Sequence, residues 1–359
     1  MTAFINRIVA KRFGCLQDID VELTPIHAFI GPNDSGKSTI LSAVRTIVQL
    51  ASACFRYGPS KEMKPFTPRI PGEGEKYLLL ARFGKGFIYQ VEASSEKITE
   101  TVLHQGKILG QESGRSWTDT SKLLDNKEIV ELREKKAGRI STARMVRLDP
   151  DALRRPSGLI PDNQPISFLN DRGFGLPGVL DAIQNRGDDD FKQIADELRE
   201  LFPAVKNLRL KVISEKEKKV AISLKGGREV SADHISEGML YYLAFAALAR
   251  LEPTSVLLVE EPENGLHPAR IADVMRTLRK ISQFTQVLIA THSPLVINEM
   301  EANEVTLVTR PDGKSTKTIP LSDTHNFEER KKVYALGELW LSYADGVDES
   351  PLLSMAREE

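Results

Sequence analysis

The pattern of hydrophobic and polar positions in the N-terminal segment predicts short strands followed by an amphipathic helix. Apolar residues form three runs, which the turn-forming residues Gly14 and Pro25 separate. The predicted strands are Phe4–Ala10, Ile19–Leu23 and Ile26–Ile30. Apolar residues then recur at helical spacing over Thr39–Leu50, so one face of this helix is expected to be buried.

The middle of the chain is predicted to contain strands, short helices and irregular segments. Pro and Gly are frequent between residues 55 and 74, which indicates a loop. The elements predicted after it are strands at Tyr77–Phe83, Phe87–Val91 and Ile98–Leu103, helices at Lys122–Lys136, Leu176–Ile183 and Phe191–Leu201, and a hairpin of Leu208–Ile213 with Val220–Leu224.

The C-terminal part of the chain alternates between helical and strand patterns. The predicted elements are helix Glu237–Arg250, strand Val256–Val259, helix Ala269–Ile281, strand Val287–Ala290, helix Leu295–Met300, a hairpin of Val305–Thr309 with Lys317–Leu321, and helix Val333–Tyr343. Alternation of this kind predicts a largely parallel, doubly wound α/β sheet.

Composition limits the class of protein. The 359 residues are 41% hydrophobic and 28% charged, as in a globular chain of one or two domains, and the formal net charge is −1, so any nucleic-acid site must be local. Two cysteines, Cys15 and Cys54, are too few for a disulfide framework. The longest apolar run, Met239–Ala249, is shorter than the ~20 residues of a membrane span. We therefore expect a soluble, cytoplasmic protein that does not contact a membrane.

The strongest chemical motif is the loop between the third strand and the first helix. Residues 31–38 match G-x-x-x-x-G-K-[ST], in which backbone N–H groups surround phosphate oxygens. Lys37 is expected to hold the β- and γ-phosphates, and the Ser38 hydroxyl to bind Mg²⁺. The alternative is an ordinary glycine turn before a helix. The candidate nucleotide-binding residues here are Gly31, Asn33, Ser35, Gly36, Lys37, Ser38 and Thr39.

Two later strands are followed by residues suited to phosphate hydrolysis. Glu260 and Glu261 end an apolar strand, and His292 follows the next one. Strands of a parallel sheet deliver such residues to one edge, where Glu260 is expected to contact Mg²⁺ and Glu261 to act as the base for the attacking water. His292 is predicted to sense the γ-phosphate. The alternatives are a solvated acidic loop and a histidine that satisfies local backbone groups.

These motifs together resemble a known family. The phosphate loop, Ile235-Ser-Glu-Gly238, Glu260-Glu-Pro-Glu-Asn-Gly-Leu-His-Pro268 and Ala290-Thr-His-Ser-Pro294 are similar to those of ATP-binding-cassette ATPases of the SMC, RecF and OLD type. The segment Glu260–Pro268, followed by Ala-Thr-His-Ser-Pro, looks most like the corresponding motifs of the OLD branch. The motifs span residues 1 to about 300.

The resemblance implies a fold and a division of the chain. The expected fold is an α/β phosphate-loop ATPase head with a β-rich N-terminal lobe, a doubly wound parallel sheet and a mixed insertion. The implied segments are an N-terminal ATPase lobe (1–54), an insertion that partly completes this lobe (55–230), a C-terminal ATPase lobe (231–310) and a final hairpin and helix (311–359).

The resemblance also implies how two copies would cooperate. Ser236 and Gly238 would begin a signature helix whose N-terminus meets the γ-phosphate bound to the opposite subunit, so that ATP and Mg²⁺ join the heads of a homodimer or higher oligomer. Glu237 replaces the first of the two glycines usual in the family, and a plain N-cap role for Ser236 is the alternative. Glu260 replaces the more usual aspartate, and Gln164 is the candidate for the glutamine of the metal shell.

The function implied is an ATP-hydrolysing head that controls a separate effector protein, with a role in anti-phage defence. The alternative is a RecF-like protein of DNA repair that binds DNA itself. The segment from Glu131 to Arg155 contains eight basic and four acidic residues. This excess of positive charge fits either contact with DNA phosphates or a helix face exposed to solvent.

The residues after His292 are expected to add no nuclease activity. Only 67 residues follow His292, so we do not expect the metal-dependent nuclease domain that OLD relatives carry after the ATPase. The apolar stretch Leu336–Tyr343 could dock a partner through its aromatic residues or pack onto the head.

Overall fold

The computed structural model describes residues 4–55, 76–84, 86–94, 97–116, 121–132, 142–187, 189–311, 315–324 and 327–344. The chain forms two compact units. The first comprises residues 1–144, 254–258 and 282–359, and the second comprises residues 145–253 and 259–281. Each unit therefore collects segments that are far apart in the sequence.

Six strands form an antiparallel sheet in the first unit. They are β1 (Ile5–Phe13), β2 (Leu16–Glu22), β4 (Tyr77–Phe83), β5 (Phe87–Ala93), β6 (Lys97–His104) and β7 (Lys107–Ser116), in the order β2-β1-β4-β5-β6-β7. Along β4, buried residues alternate with half-buried ones, because side chains on one face of the sheet pack into the core. The strands predicted in the middle of the chain thus extend the N-terminal sheet.

A second six-stranded sheet is built around the strand that precedes the phosphate loop. Its strands are β3 (Ile26–Ile30), β8 (Ala143–Val146), β13 (Val256–Glu260), β14 (Gln286–Thr291), β15 (Val305–Thr309) and β16 (Lys317–Pro320), in the order β16-β15-β3-β14-β13-β8. β3 pairs in parallel with both β14 and β15, and β16 is antiparallel. Every residue of β3 and β14 is buried, as expected for parallel strands covered on both faces.

The second unit is rich in helices and has a small antiparallel sheet. The helices are α3 (Pro150–Arg154), α4 (Leu176–Arg186), α5 (Asp190–Leu201), α6 (Glu237–Leu248) and α7 (Pro268–Ile281), and the strands are β9 (Ser157–Gly158), β10 (Val205–Val212), β11 (Glu217–Leu224) and β12 (Glu229–Ser231). Residues 240–248 of α6 are all buried, so this helix lies inside the unit. The hairpin predicted for this region is confirmed, since β10 pairs antiparallel with β11.

The single helix predicted over Lys122–Lys136 is wrong. A 3₁₀ turn at Lys122–Asp125 is followed by a separate helix, α2 (Lys127–Leu132), and residues 133–136 lie outside the described part of the chain. Asn126 separates the two, because its Oδ1 accepts a hydrogen bond from the Glu128 N–H (3.0 Å) while its Nδ2 donates to the Leu109 carbonyl (2.8 Å). Hydrophobic spacing alone could not reveal this cap.

The C-terminal elements follow the prediction with shifted ends. The helix after the histidine is short, α8 (Pro294–Ile297), and the last described helix, α10 (Leu336–Ala344), begins three residues later than predicted. Between them lies α9 (Phe327–Arg330). The hairpin of β15 and β16 is confirmed.

Helix α10 packs against α8 rather than presenting its tryptophan to solvent. Gly337 lies so close that a Cβ there would be 2.2 Å from the Pro294 carbonyl oxygen, and its N–H donates to Asn298 Oδ1 (2.8 Å). Trp340 is only 5% exposed. Of the two roles considered for this stretch, the structure supports packing for Trp340. Among the described residues, no helix is both long and apolar enough to cross a bilayer.

Candidate functional site

The phosphate loop connects β3 to α1 (Lys37–Phe55) by a route that requires glycine at two positions. Gly36 has φ +109°, and a Cβ on it would lie 2.3 Å from Thr316 Oγ1. A Cβ on Gly31 would lie 1.9 Å from the Val308 carbonyl oxygen. The backbone therefore turns in a space so tight that a side chain at either position would collide with neighbouring atoms.

The polar groups of this loop fit an anionic ligand. Lys37 is buried and its Nζ donates to the carbonyl oxygens of Gly31 (2.8 Å) and Pro32 (2.7 Å), so the ammonium group lies over the loop. Ser35 Oγ is buried and has no hydrogen-bond partner in the described part of the chain. Bound phosphate oxygens would satisfy this hydroxyl and compensate the lysine charge.

The parallel register brings His292 to the same edge of the sheet as the phosphate loop. Thr291 of β14 is paired with Ile30 of β3, and each is the last residue of its strand. His292 and Gly31 therefore follow from neighbouring strands at one edge. His292 is exposed, while Thr291 is buried and its hydroxyl accepts a hydrogen bond from the Ser293 N–H (2.9 Å).

Several residues that support the phosphate loop were not predicted from the sequence. Arg310, just after β15, has its Nη1 3.3 Å from Oδ2 of Asp34, a loop residue with φ +63°. Thr316 Oγ1 donates to the Ser35 carbonyl (2.8 Å), and Cys15 Sγ lies 3.3 Å from Thr39 Oγ1. Arg310 lies 276 residues after its partner Asp34, and Thr316 lies 281 residues after Ser35. No local motif could therefore identify them.

The acidic end of β13 carries an unusual backbone conformation. Glu260 closes the strand with a side chain that is only 10% exposed. Glu261 follows with φ +49°, the left-handed region that non-glycine residues rarely adopt, and Asn264 Nδ2 donates to its Oε2 (2.6 Å). Such local strain is frequent where a turn must aim a functional side chain.

Glu260 has an arginine as its ion-pair partner. β8 is next to β13 in the sheet, and the residue after β8 is Arg147, whose Nη1 is 3.5 Å from Glu260 Oε2. Gln164 lies in an irregular loop, where its carbonyl oxygen accepts a hydrogen bond from Arg186 (2.7 Å). It also lines a cavity of about 610 Å³ with Arg186 and Arg250. Nothing in this arrangement connects Gln164 with Glu260.

Helix α6 begins just after Ser236, the residue predicted to open a signature helix. Ser236 is the N-cap residue, but its side chain makes no capping hydrogen bond, which argues against the plain N-cap role. The loop after β13 packs on this helix, because a Cβ on Gly265 (φ +68°) would lie 2.4 Å from the Tyr241 ring, and one on Gly238 would lie 3.6 Å from the Gly265 carbonyl oxygen.

Charges beside this helix start are balanced within the second unit. Arg154 Nη2 lies 3.9 Å from Glu237 Oε1 and 3.4 Å from the Ile235 carbonyl oxygen. Burial, together with the nearby Glu237 carboxylate, raises the pKa of Tyr241 to about 12, so its hydroxyl stays protonated and donates to the Leu148 carbonyl (3.3 Å).

Some basic residues between positions 131 and 155 form ion pairs with acidic residues of the second unit. Arg147 pairs with Glu260, and Arg154 with Asp151 and Glu237. The basic residues Arg133, Lys135, Lys136 and Arg139 lie outside the described part of the chain.

The two residues expected to bind Mg²⁺ both carry oxygen donors. Ser38 offers a hydroxyl and Glu260 a carboxylate, both hard oxygen ligands. Among the described residues, no group of three or more histidine, cysteine or acidic side chains forms a cage of its own. A single hydroxyl or carboxylate of this kind suits a cation that keeps most of its water ligands.

The fold and these motifs define an ABC-type ATPase of the SMC, RecF and OLD class. The chain belongs to the AAA_21 family, whose model matches residues 26–298 and is described as "AAA domain, putative AbiEii toxin, Type IV TA system". A 44-residue stretch is 46% identical to the OLD nuclease of Thermus scotoductus, and it covers 12% of this chain and 8% of that protein.

Solved SMC heads share the fold. A head bound to the C-winged helix domain of ScpA is 13% identical and has a TM-score of 0.56, with 92% of this chain and 100% of that one covered. The SMC head domain of Thermotoga maritima is 16% identical (TM-score 0.47, 89% and 99% covered). A head with an extended coiled coil, bound to the C-terminal domain of ScpA from Pyrococcus furiosus, is 12% identical (TM-score 0.49, 94% and 100% covered).

Proposed function

We propose that the chain binds Mg·ATP at the phosphate loop and hydrolyses it to ADP and phosphate. The observation that carries this proposal is the loop itself, with Lys37 over the backbone cradle and a buried Ser35 hydroxyl that has no partner among the described residues. Lys37 holds the β- and γ-phosphates, and Ser38 and Glu260 bind Mg²⁺, which neutralises phosphate charge. Gly31, Asn33, Gly36 and Thr39 complete the cradle.

In this proposal Glu261 is the general base and His292 the γ-phosphate sensor. Hydrolysis needs a carboxylate that accepts a proton from water placed in line with the γ-phosphate. The left-handed turn at Glu261 and its hydrogen bond from Asn264 fix the carboxylate direction. In this role His292 donates a hydrogen bond to the γ-phosphate. The parallel pairing of β14 with β3, the strand before the phosphate loop, supports the role.

We further propose that ATP joins two heads, each placing Ser236 and Gly238 on the partner's γ-phosphate. The uncapped Ser236 side chain and the N-terminal dipole of α6 support this role. The solved SMC head bound to part of ScpA offers a precedent for a separate protein partner, and here the effector controlled by ATP is such a partner. From the resemblance to the OLD branch we further propose a role in anti-phage defence in the cytoplasm, and the family description, which names a putative toxin of a type IV TA system, is compatible with this role.

ATP turnover by purified protein tests the catalytic proposal. Lys37→Ala should lose nucleotide binding and turnover, because it removes the loop cation. Glu261→Gln should bind ATP with wild-type affinity but turn it over at least about a hundredfold more slowly, since an amide cannot act as a base. Phosphate release and fluorescent-nucleotide titration separate the two effects. Lys206→Ala, an exposed lysine on β10, serves as the control. Wild-type turnover in Glu261→Gln would assign the base to another residue.

A further inference from the structure

A positive charge compensates the nearly buried carboxylate at the end of β13. Arg147 Nη1 is 3.5 Å from Glu260 Oε2, and the exposed side-chain fractions are 67% for the arginine and 10% for the glutamate. A carboxylate removed from water needs a cation or strong hydrogen-bond donors nearby. The guanidinium supplies this charge from the solvent side.

The position of Arg147 is set by the sheet and an adjoining loop. At the start of β8 and β13, the Ser255 N–H donates to the Thr142 carbonyl (2.9 Å), so the two strands begin together and end together at Val146 and Glu260. Beyond the strand, the Arg147 N–H donates to the Asp171 carbonyl (2.8 Å). The backbone at Arg147 is therefore held in place while its side chain extends into solvent.

We propose that Arg147 is a positioning residue that serves as an exchangeable counter-ion for Glu260. It holds the carboxylate before nucleotide binds and releases it to Mg²⁺ when Mg·ATP arrives. This inference rests on the proposed function, in which Glu260 is a metal ligand. The high exposure of Arg147 lets its side chain move into water when the metal takes its place.

The exchange makes a directional prediction, because Mg²⁺ and the guanidinium compete for one carboxylate. Removing the arginine charge should lower the Mg²⁺ concentration needed for tight ATP binding. Ion pairs with an exposed partner are weak, so the expected shift is about two- to fivefold. A merely structural role for Arg147 would not change the metal dependence in this direction.

The test is a titration of a fluorescent ATP analogue against the whole chain at a series of Mg²⁺ concentrations. Arg147→Gln and Arg147→Met, which keeps the aliphatic stem, should both reach half-maximal binding at two- to fivefold lower Mg²⁺ than wild type. Arg147→Lys, which keeps the positive charge, should need the same Mg²⁺ concentration as the wild type. In a Glu260→Gln background the Arg147 substitutions should have no further effect. Arg172→Gln is the matched control, since this arginine pairs with Asp149 instead.

The outcomes separate this inference from the proposed function. If wild type fails to bind the analogue with Mg²⁺ present, the proposed function is wrong and the counter-ion role falls with it. If wild type binds but Arg147→Gln and Arg147→Met show an unchanged or increased Mg²⁺ requirement, only the counter-ion role is overturned. A shift that persists in the Glu260→Gln background would also overturn it.

Discussion

Position 265, close in sequence to Glu260 and Glu261, strongly favours glycine. It combines a positive φ with a Cβ position 2.4 Å from the Tyr241 ring and 3.4 Å from Glu237 Oε2. Both the backbone conformation and the packing exclude a side chain there. The glycine therefore lets the loop after Glu260 and Glu261 lie directly on helix α6.

Gly265→Ala should destabilise the protein by about 1–3 kcal/mol, because it adds backbone strain and forces the Tyr241 ring to move. Denaturant unfolding measures this effect. Gly226→Ala is the matched control in the same unit, since a Cβ at Gly226 meets nothing within 4 Å. Equal stabilities for the two variants would contradict the packing described between Gly265 and Tyr241.

At the residue scale, the candidate site residues that the sequence offers are those that belong to local motifs. Lys37, Glu261 and His292 lie in short motifs whose spacing is readable without a structure. Arg147 and Arg310 were not predicted as site residues, because their partners Glu260 and Asp34 are distant in sequence and meet them only through sheet pairing. Gln164 was chosen for its residue type, which carries no information about position.

At the scale of elements, the N-terminal end of α6 is held from two sides within its unit. The loop at Gly265 packs on Tyr241, and Arg154 of α3 contacts Ile235 and Glu237. These contacts fix the start of α6, so its N-terminal dipole points in a defined direction. A rigid helix start is what recognition of a phosphate on another subunit requires.

The proposed sharing of sites between subunits can be tested by complementation. Ser236→Arg should leave ATP binding intact but abolish turnover, because the long side chain obstructs the helix end that meets the partner's phosphate. Lys37→Ala fails at the loop instead. In an equal mixture, random pairing gives half mixed dimers with one complete site each, so about a quarter of wild-type turnover should return.

Ser236→Ala provides the control for bulk, since it removes the hydroxyl without obstruction and should cost less turnover than the arginine. Mixed dimers must be verified with differently tagged chains. If they form and no turnover returns, then each site uses residues of a single chain.

The elements predicted best from the sequence are those with long, consistent patterns. β3, β4 and the helix after the phosphate loop were located because their apolar residues repeat without interruption. β7, with six polar or charged residues and two glycines among its ten, lacks such a pattern and was missed. The helix predicted over Lys122–Lys136 was divided by the cap at Asn126, which acts through a contact with Leu109 of β7.

At the scale of the whole molecule, the central claim is that ATP switches the chain between separate and paired heads. The family assignment and the SMC-like fold support an ATPase domain, and the N-terminus of α6 is the surface at which we propose that a second copy binds. Association held by ATP should persist when hydrolysis is blocked, because the nucleotide then remains between the two heads.

The most direct test is the mass of the Glu261→Gln chain in solution, measured with and without Mg·ATP. We predict that its mass doubles when ATP is added and returns to the starting value when ATP is removed. The Lys37→Ala/Glu261→Gln double variant should show no change on adding ATP. A Glu261→Gln chain that binds ATP, yet has the same mass with and without it, would contradict the account.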